Sequence, residues 1–185
     1  MTDTAVDIPA AVSAACQGDA LAFDALVRAF ADRLLRFLMA GGLRHSDAED
    51  VVQETFIRAY HNLERYDSRY AFSTWLFTIA HRLRCNHHRR QRRYVTMGEN
   101  QDLRTAPETE HHEIGALWAK ARELLPERQY QALWLRFGED LELDEVAEVL
   151  GVSSGNARVL VHRARSKLAE RLDPDTMTEH REDAP

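Results

Sequence analysis

The sequence predicts an all-α protein built as two small helical domains joined by a flexible linker, the C-terminal one a helix-turn-helix. Three observations carry that reading. Apolar residues return at spacings of three and four in segment after segment, the period of a helix with one buried face. Residues 94–112 break that period, contain Gly98 and Pro107, and turn acidic, as a linker does. The stretch Leu143 to Leu168, LDEVAEVLGVSSGNARVLVHRARSKL, reads as two helices closed around a glycine turn.

Along the chain, residues 1–18 form an N-terminal extension with a short helix over Pro9 to Cys16. Asp19 can cap a longer helix in which Phe23, Leu26, Val27, Phe30, Leu34, Phe37 and Leu38 repeat at helical spacing, and Gly41-Gly42 stops it. Ser46-Asp47-Ala48-Glu49 has the form of a capping box, serine and glutamate each satisfying a free backbone N–H. The helix it opens runs to about Asn62, buries Val51, Val52, Thr55, Phe56 and Ala59, and shows Glu49, Asp50, Gln53 and Glu54 outward. Residues 64–72, ERYDSRYAF, lack the helical period and read as an aromatic-rich loop. From Ser73 a helix resumes with Trp75, Leu76, Ile79, Ala80 and Leu83 inward.

That helix continues into HRLRCNHHRRQRR, residues 81–93, which hold six arginines and no acid. Arg82, Asn86, Arg89 and Arg93 are spaced by four, three and four and so share a face. Such a row can track phosphates or reach exposed bases. The local field matters more here than the formal net charge of −6.

After the linker, Ile114, Leu117, Trp118, Ala121 and Leu125 restore the period. Pro126 sits at the first turn of a further helix, where its missing N–H is harmless, with Tyr130, Leu133, Trp134 and Phe137 as the apolar face and Gly138 as the stop. In the helix-turn-helix proper, Leu143, Val146, Ala147 and Leu150 share a face, Gly151 ends the first helix, and Ser153 or Ser154 caps the second. Ala157, Leu160, Val161, Ala164 and Leu168 form the second helix's apolar stripe, while Arg158, His162, Arg163, Arg165 and Lys167 take the remaining surface. A glycine turn, a short first helix and a cationic second helix favour DNA recognition over a solvated hairpin. The expected organisation is therefore 1–18, 19–93, 94–112, 113–172, and a polar, disordered tail over 173–185.

The order of these parts resembles the extracytoplasmic-function (ECF) group of bacterial RNA polymerase sigma factors. The resemblance spans about residues 19–172 and rests on DAEDVVQETFIRAY (47–60), FSTWLFTIAHRL (72–83), LPERQYQALWLRF (125–137) and the ending HRARSKL (162–168). It implies a first domain that binds core RNA polymerase and the −10 promoter element and helps to melt DNA, and a second that binds the −35 element. Glu49, Asp50, Gln53 and Glu54 then face the clamp helices of the polymerase's largest subunit. Tyr70 and Phe72 become candidates for stacking on an unpaired −10 base, joined by Arg82, Asn86, Arg89 and Arg93, whereas Trp75 begins an apolar stripe and belongs to the core. Ser154, Asn156, Arg158, His162, Arg163 and Arg165 become the −35 contacts. An anti-sigma factor is expected as a further partner, by resemblance alone.

Two departures stand out. Arg82 occupies a position where the group often has asparagine, so its −10 preference does not transfer. Val159 and Leu160 replace the usual polar and basic pair after Arg158, which removes a base or phosphate contact and leaves Arg158, His162 and Arg163 as the readers.

Other classes fit less well. A repressor or activator with the same helix-turn-helix needs an effector pocket or dimer interface, and leaves the 47–60 helix unexplained. A metalloprotein could use His81, Cys85, His87 and His88, but arginines on both sides disfavour a dication and no matching cluster occurs elsewhere. Paired carboxylates in an apolar setting, a nucleophile motif and a phosphate-binding glycine loop are all missing, so no enzyme, metal or cofactor is expected. The absence of a signal-peptide pattern or a bilayer-length apolar run, with only two cysteines, points to the cytoplasm without membrane insertion.

Overall fold

The computed structural model describes the backbone over residues 6–95 and 113–172, and the side chains over 6–91 and 117–172. Among the described residues the chain is all-α: α1 (Ile8–Cys16), α2 (Ala20–Ala40), α3 (His45–His61), α4 (Phe72–Val95), α5 (Glu113–Leu124), α6 (Glu127–Phe137), α7 (Leu143–Leu150) and α8 (Ser154–Leu172), with a single 3-10 turn at Leu63–Arg65. It divides into two compact units, Met1–Thr105 and Ala106–Pro185. From residue 96 on, the expected linker lies outside the described residues, as does the expected tail at 173–185.

In the first unit α2 is the central helix because its apolar residues cover more than one face. Leu26, Phe30, Leu34, Phe37 and Leu38 are all buried. Asp19 caps the helix as expected, its carboxylate accepting from the N–H groups of Leu21 at 2.8 Å and Ala22 at 3.2 Å. Phe37 meets Phe77 of α4 edge to face at 5.1 Å, and Phe30 meets Phe72 at 5.6 Å, a geometry aromatic pairs favour. α1 packs on α2 through Val12 and Ala15, so the N-terminal extension contributes a helix to this unit. Buried Thr55 and Thr78 donate their hydroxyls to the carbonyls of Val51 at 2.6 Å and Thr74 at 2.8 Å, which removes the cost of burying them.

The N-terminus of α3 departs from the sequence reading. The cap is Arg44, without a side-chain bond, and Ser46 lies inside the first turn rather than capping it. Two side-chain contacts span this turn instead: the ion pair from Arg44 Nε to Asp47 at 2.9 Å, and His45 Nδ1 to the Glu49 carboxylate at 3.2 Å. An acid in the first turn also meets the positive end of the helix dipole.

In the second unit α6 is buried from Tyr130 to Leu135 and packs against α7 and α8. Trp134 lies against Trp118 of α5 at 4.8 Å and donates Nε1–H to buried Glu139 at 3.2 Å. Gly138 ends α6 for a steric reason, since a Cβ there would sit 2.9 Å from the Trp134 carbonyl oxygen. Two expected core residues face solvent instead, Leu117 and Phe137. The exposed Phe137 ring is flanked by the guanidinium groups of Arg136 at 5.8 Å and Arg165 at 5.9 Å, which cover its face.

Candidate functional site

Three surfaces hold the nominated side chains, and each follows from how its helix is packed. On α8 the buried positions are Ala157, Val161 and Ala164, two of them small, so the helix lies close against its neighbours. Gly151 stands between α7 and α8 at φ 63°, ψ 42°, the left-handed conformation that a helix-turn-helix bend requires of a residue without Cβ. Ser153 then accepts from the N–H of Asn156 at 3.3 Å and caps α8. Ser154, Asn156, Arg158, His162, Arg163 and Arg165 are all exposed, and Lys167 is half-buried. The arrangement presents guanidinium groups on both flanks of the outward face, Arg158 and Arg165 on one and Arg163 on the other, on a helix narrow enough for a major groove.

The second surface is α4 with the loop before it. The loop is pinned locally: Tyr66 Oη donates to the Tyr70 carbonyl at 2.6 Å, and Arg69 binds Asp67 through its guanidinium at 2.5 Å and its backbone N–H at 3.0 Å. Hydrogen bonds from Arg69 hold the Asp67 carboxyl below the usual carboxylate range. Burial, with Cys16 and the Asp67 carboxylate nearby, pushes the Tyr66 phenol up. Of the two aromatic residues nominated for stacking, Tyr70 is 54% exposed and Phe72 only 4%. Phe72 is the hub of a cluster with Phe30, Tyr66 and Trp75, each ring centroid 5.6 Å away, so its faces are occupied by protein. Trp75 is half-buried beside it.

Further along α4, Arg82, Asn86 and Arg89 are exposed, while the side chain of Arg93 lies outside the described residues. Arg84 does not belong with this basic surface. It is 4% exposed and donates to the Gly41 carbonyl at 2.7 Å, placing a cation at the C-terminal end of α2. Cys85 Sγ lies 3.5 Å from His81 Nε2 one turn away, and His87 Nε2 is 3.7 Å from Asp47 across to α3. Among the described residues no group of three or more His, Cys, Asp or Glu is placed to hold a metal ion, and no helix is long and apolar enough to cross a membrane.

The third surface combines α2 and α3. Glu49, Asp50 and Gln53 are exposed, and Glu54 is partly so, with Arg58 Nε 2.6 Å from its carboxylate. Beside this polar row runs a feature the sequence reading missed: an apolar groove of about 590 Å³ between the two helices. Phe23, Val27, Leu35, Val52, Ile57 and Tyr60 line its apolar part, and Asp32, Glu49 and Gln53 its polar part. Ile57 and Tyr60 are about half exposed there. An apolar channel with an acidic edge is complementary to an amphipathic helix carrying basic residues.

Known proteins share this architecture. The family model for Sigma-70 region 2 matches residues 26–94, and that for Sigma-70, region 4 matches residues 119–168. The ECF RNA polymerase sigma-E factor of Haemophilus influenzae is 31% identical over 173 residues, covering 85% of this chain and 91% of its own. The solved structure of CnrH in complex with the cytosolic domain of CnrY has a TM-score of 0.63 at 26% identity, covering 89% of this chain and 96% of that one. The sigma factor RpoE of Bartonella quintana, solved with the anti-sigma factor NepR, has a TM-score of 0.70 at 24% identity, covering 83% and 98%.

Proposed function

The chain belongs to the extracytoplasmic-function group of RNA polymerase sigma factors, and from that premise we propose a division of labour among its three surfaces. It is a DNA-recognition protein that directs promoter-specific transcription initiation. The α2–α3 face, with Glu49, Asp50, Gln53 and Glu54 beside the apolar groove, binds core polymerase. Acids along a groove suit basic helices of a partner, and the groove supplies apolar area that the acids alone lack.

Tyr70 is the stacking residue for an unpaired −10 base, and Phe72 stands behind the loop as its support. Arg82, Asn86 and Arg89 carry the adjoining strand, with Arg93 continuing the row by sequence spacing. On α8, Arg158, His162 and Arg163 read the −35 element, while Ser154, Asn156 and Arg165 bind at its edges. Residues 96–112, beginning after α4 rather than at residue 94, tether the two DNA-binding domains. The chain performs no reaction of its own and works in the cytoplasm, where polymerase and promoter are. CnrH is bound by a protein domain in its solved complex, and an anti-sigma factor that covers the α2–α3 groove or α8 would inhibit this chain.

One observation carries this reading: α8 turns Arg158, His162, Arg163 and Arg165 to solvent from a helix-turn-helix closed by left-handed Gly151. The test is to mix the purified chain with core polymerase and follow co-elution and run-off transcription from promoters selected out of a random library. Transcription that depends on both chain and promoter sequence is expected. DNA binding that neither needs nor engages core polymerase would replace this reading with that of a repressor or activator.

A further inference from the structure

We infer that Val159 reads a thymine methyl group in the −35 element and that Gly155 gives the base pair room to approach. The inference rests on the proposed role of α8. Val159 is 42% exposed, although Ala157, Val161 and Ala164 on the same helix are buried. At about 100° per residue, Val159 falls opposite that buried strip, near the middle of the outward face. Gly155, His162 and Ser166 share this face, and all three are exposed. An exposed β-branched residue serves neither packing nor helix propensity here, for valine is among the weaker helix formers.

Gly155 is the second anomaly. It lies in the first turn of α8, and a Cβ built on it would meet nothing within 4 Å. Nothing among the described residues therefore requires glycine, while alanine there would lower the entropy cost of ordering the turn. A body approaching from outside accounts for it. Gly155 and Val159 are four residues apart and stand one above the other on the helix surface. Together they form a notch one side chain deep, floored by backbone and walled on one side by the Val159 methyls. Arg158 and Arg163 flank it.

In the major groove thymine alone of the four bases carries a C5 methyl, and its neighbouring O4 accepts a hydrogen bond. Cytosine offers a bare C5 and an amino donor instead. A valine wall therefore favours thymine, and the flanking arginines hold the adjoining phosphates or guanines. The usual polar pair after Arg158 is absent from this chain, but its replacement is a reader of another kind rather than a lost contact.

The test uses the full chain with core polymerase and a −35 element selected from a randomised library. Each thymine of the selected element, on either strand, is replaced by uracil, which removes only the methyl. At one position the wild type should lose about four-fold in binding, the worth of one buried methyl at ~0.8 kcal/mol. Val159→Ser should be insensitive to uracil at that position. Gly155→Ala should keep or raise thermal stability while weakening −35-dependent binding. A selected element without thymine, uniform insensitivity to uracil in the wild type, or undiminished sensitivity in Val159→Ser would each overturn the inference while leaving the sigma-factor reading in place. A wild-type holoenzyme with no −35 dependence at all would overturn the proposed role of α8 and this inference with it.

Discussion

The α2–α3 groove makes a quantitative prediction through Ile57, which lines it and is 46% exposed. Burying a whole isoleucine side chain contributes ~1.5–3 kcal/mol. Rather less than half of that remains to be gained when a partner covers the groove, or ~0.7–1.4 kcal/mol by the same scale. Ile57→Ala forfeits most of it, so affinity for core polymerase should fall by roughly three- to ten-fold. This loss should persist at high salt, because apolar burial is not screened. Reversing Asp50 to lysine should also weaken binding, but as an exposed charge its effect should shrink as salt rises. Leu21→Ala is the control: Leu21 is 80% exposed on α2 and does not line the groove. The assay is titration of labelled protein with core polymerase at two salt concentrations, with helicity checked by circular dichroism. Wild-type affinity in a normally folded Ile57→Ala variant, or a deficit that disappears with salt, would refute the apolar role of the groove.

Three further outcomes are expected. Arg84→Ala should lower stability by about 2 kcal/mol, because it removes a charged donor from the Gly41 carbonyl, whereas exposed Arg82→Ala should change it by less than ~0.5 kcal/mol; chemical denaturation separates them. Arg158→Ala should relax base preference at one −35 position by about 1–3 kcal/mol, while Arg171→Ala, also exposed but in the last turn of α8, should at most weaken binding uniformly; a saturation series of −35 variants reads both. Burial pushes the Tyr130 phenol up to about 12, with Arg122 opposing, so the folded state favours the neutral phenol. Its contribution to stability should be complete below pH ~10 and decline between there and about 12, more steeply in wild type than in Tyr130→Phe, as thermal melts across that range would show.

Helix ends were legible wherever the signal is local. Asp19, Gly41, Gly151 and Ser153 act within a few residues of themselves, and each does what its residue type implies. The start of α3 was not legible, because the helix begins at His45, one residue ahead of Ser46, with Arg44 and His45 reaching Asp47 and Glu49 across its first turn. Arg84 already stood off the row of Arg82, Asn86 and Arg89 by spacing. Sequence could not show that a helix-ending carbonyl forty-three residues earlier lies within its reach. Phe72 resembles a stacking residue only until Phe30, Tyr66 and Trp75 are seen around it.

The groove had a trace in the sequence. Phe23, Val27, Ala31 and Leu35 recur every four residues beside the Leu26–Phe30–Leu34–Phe37 stripe, so α2 is apolar over more than the one face a neighbour can cover. Periodicity gives the width of an apolar stripe, and only packing tells which part is core and which is left open. Leu117 and Phe137 show the same limit in the second unit.

The formal net charge of −6 shows why the two kinds of surface must be weighed separately. Charges more than about 10 Å apart are largely screened at 0.1 M salt, so the side chains on α8 itself and on the adjoining α7, Glu148 and Glu170 included, outweigh the net charge of the chain there. What DNA meets there is local: Arg165 and Lys167 beside the readers Arg158, His162 and Arg163. If those two neutralise phosphates, the logarithm of −35 affinity should fall against the logarithm of salt with a slope near −1.8, or roughly 12-fold between 50 and 200 mM. Core binding through the apolar groove should change far less over that interval. Raising salt should therefore strip promoter from the holoenzyme well before it strips the chain from polymerase. Measuring both affinities on one salt series decides the matter. A flat DNA slope would mean that the cations of α8 do not reach the backbone, and a steep polymerase slope would mean that the acidic row, rather than the groove, carries the protein contact.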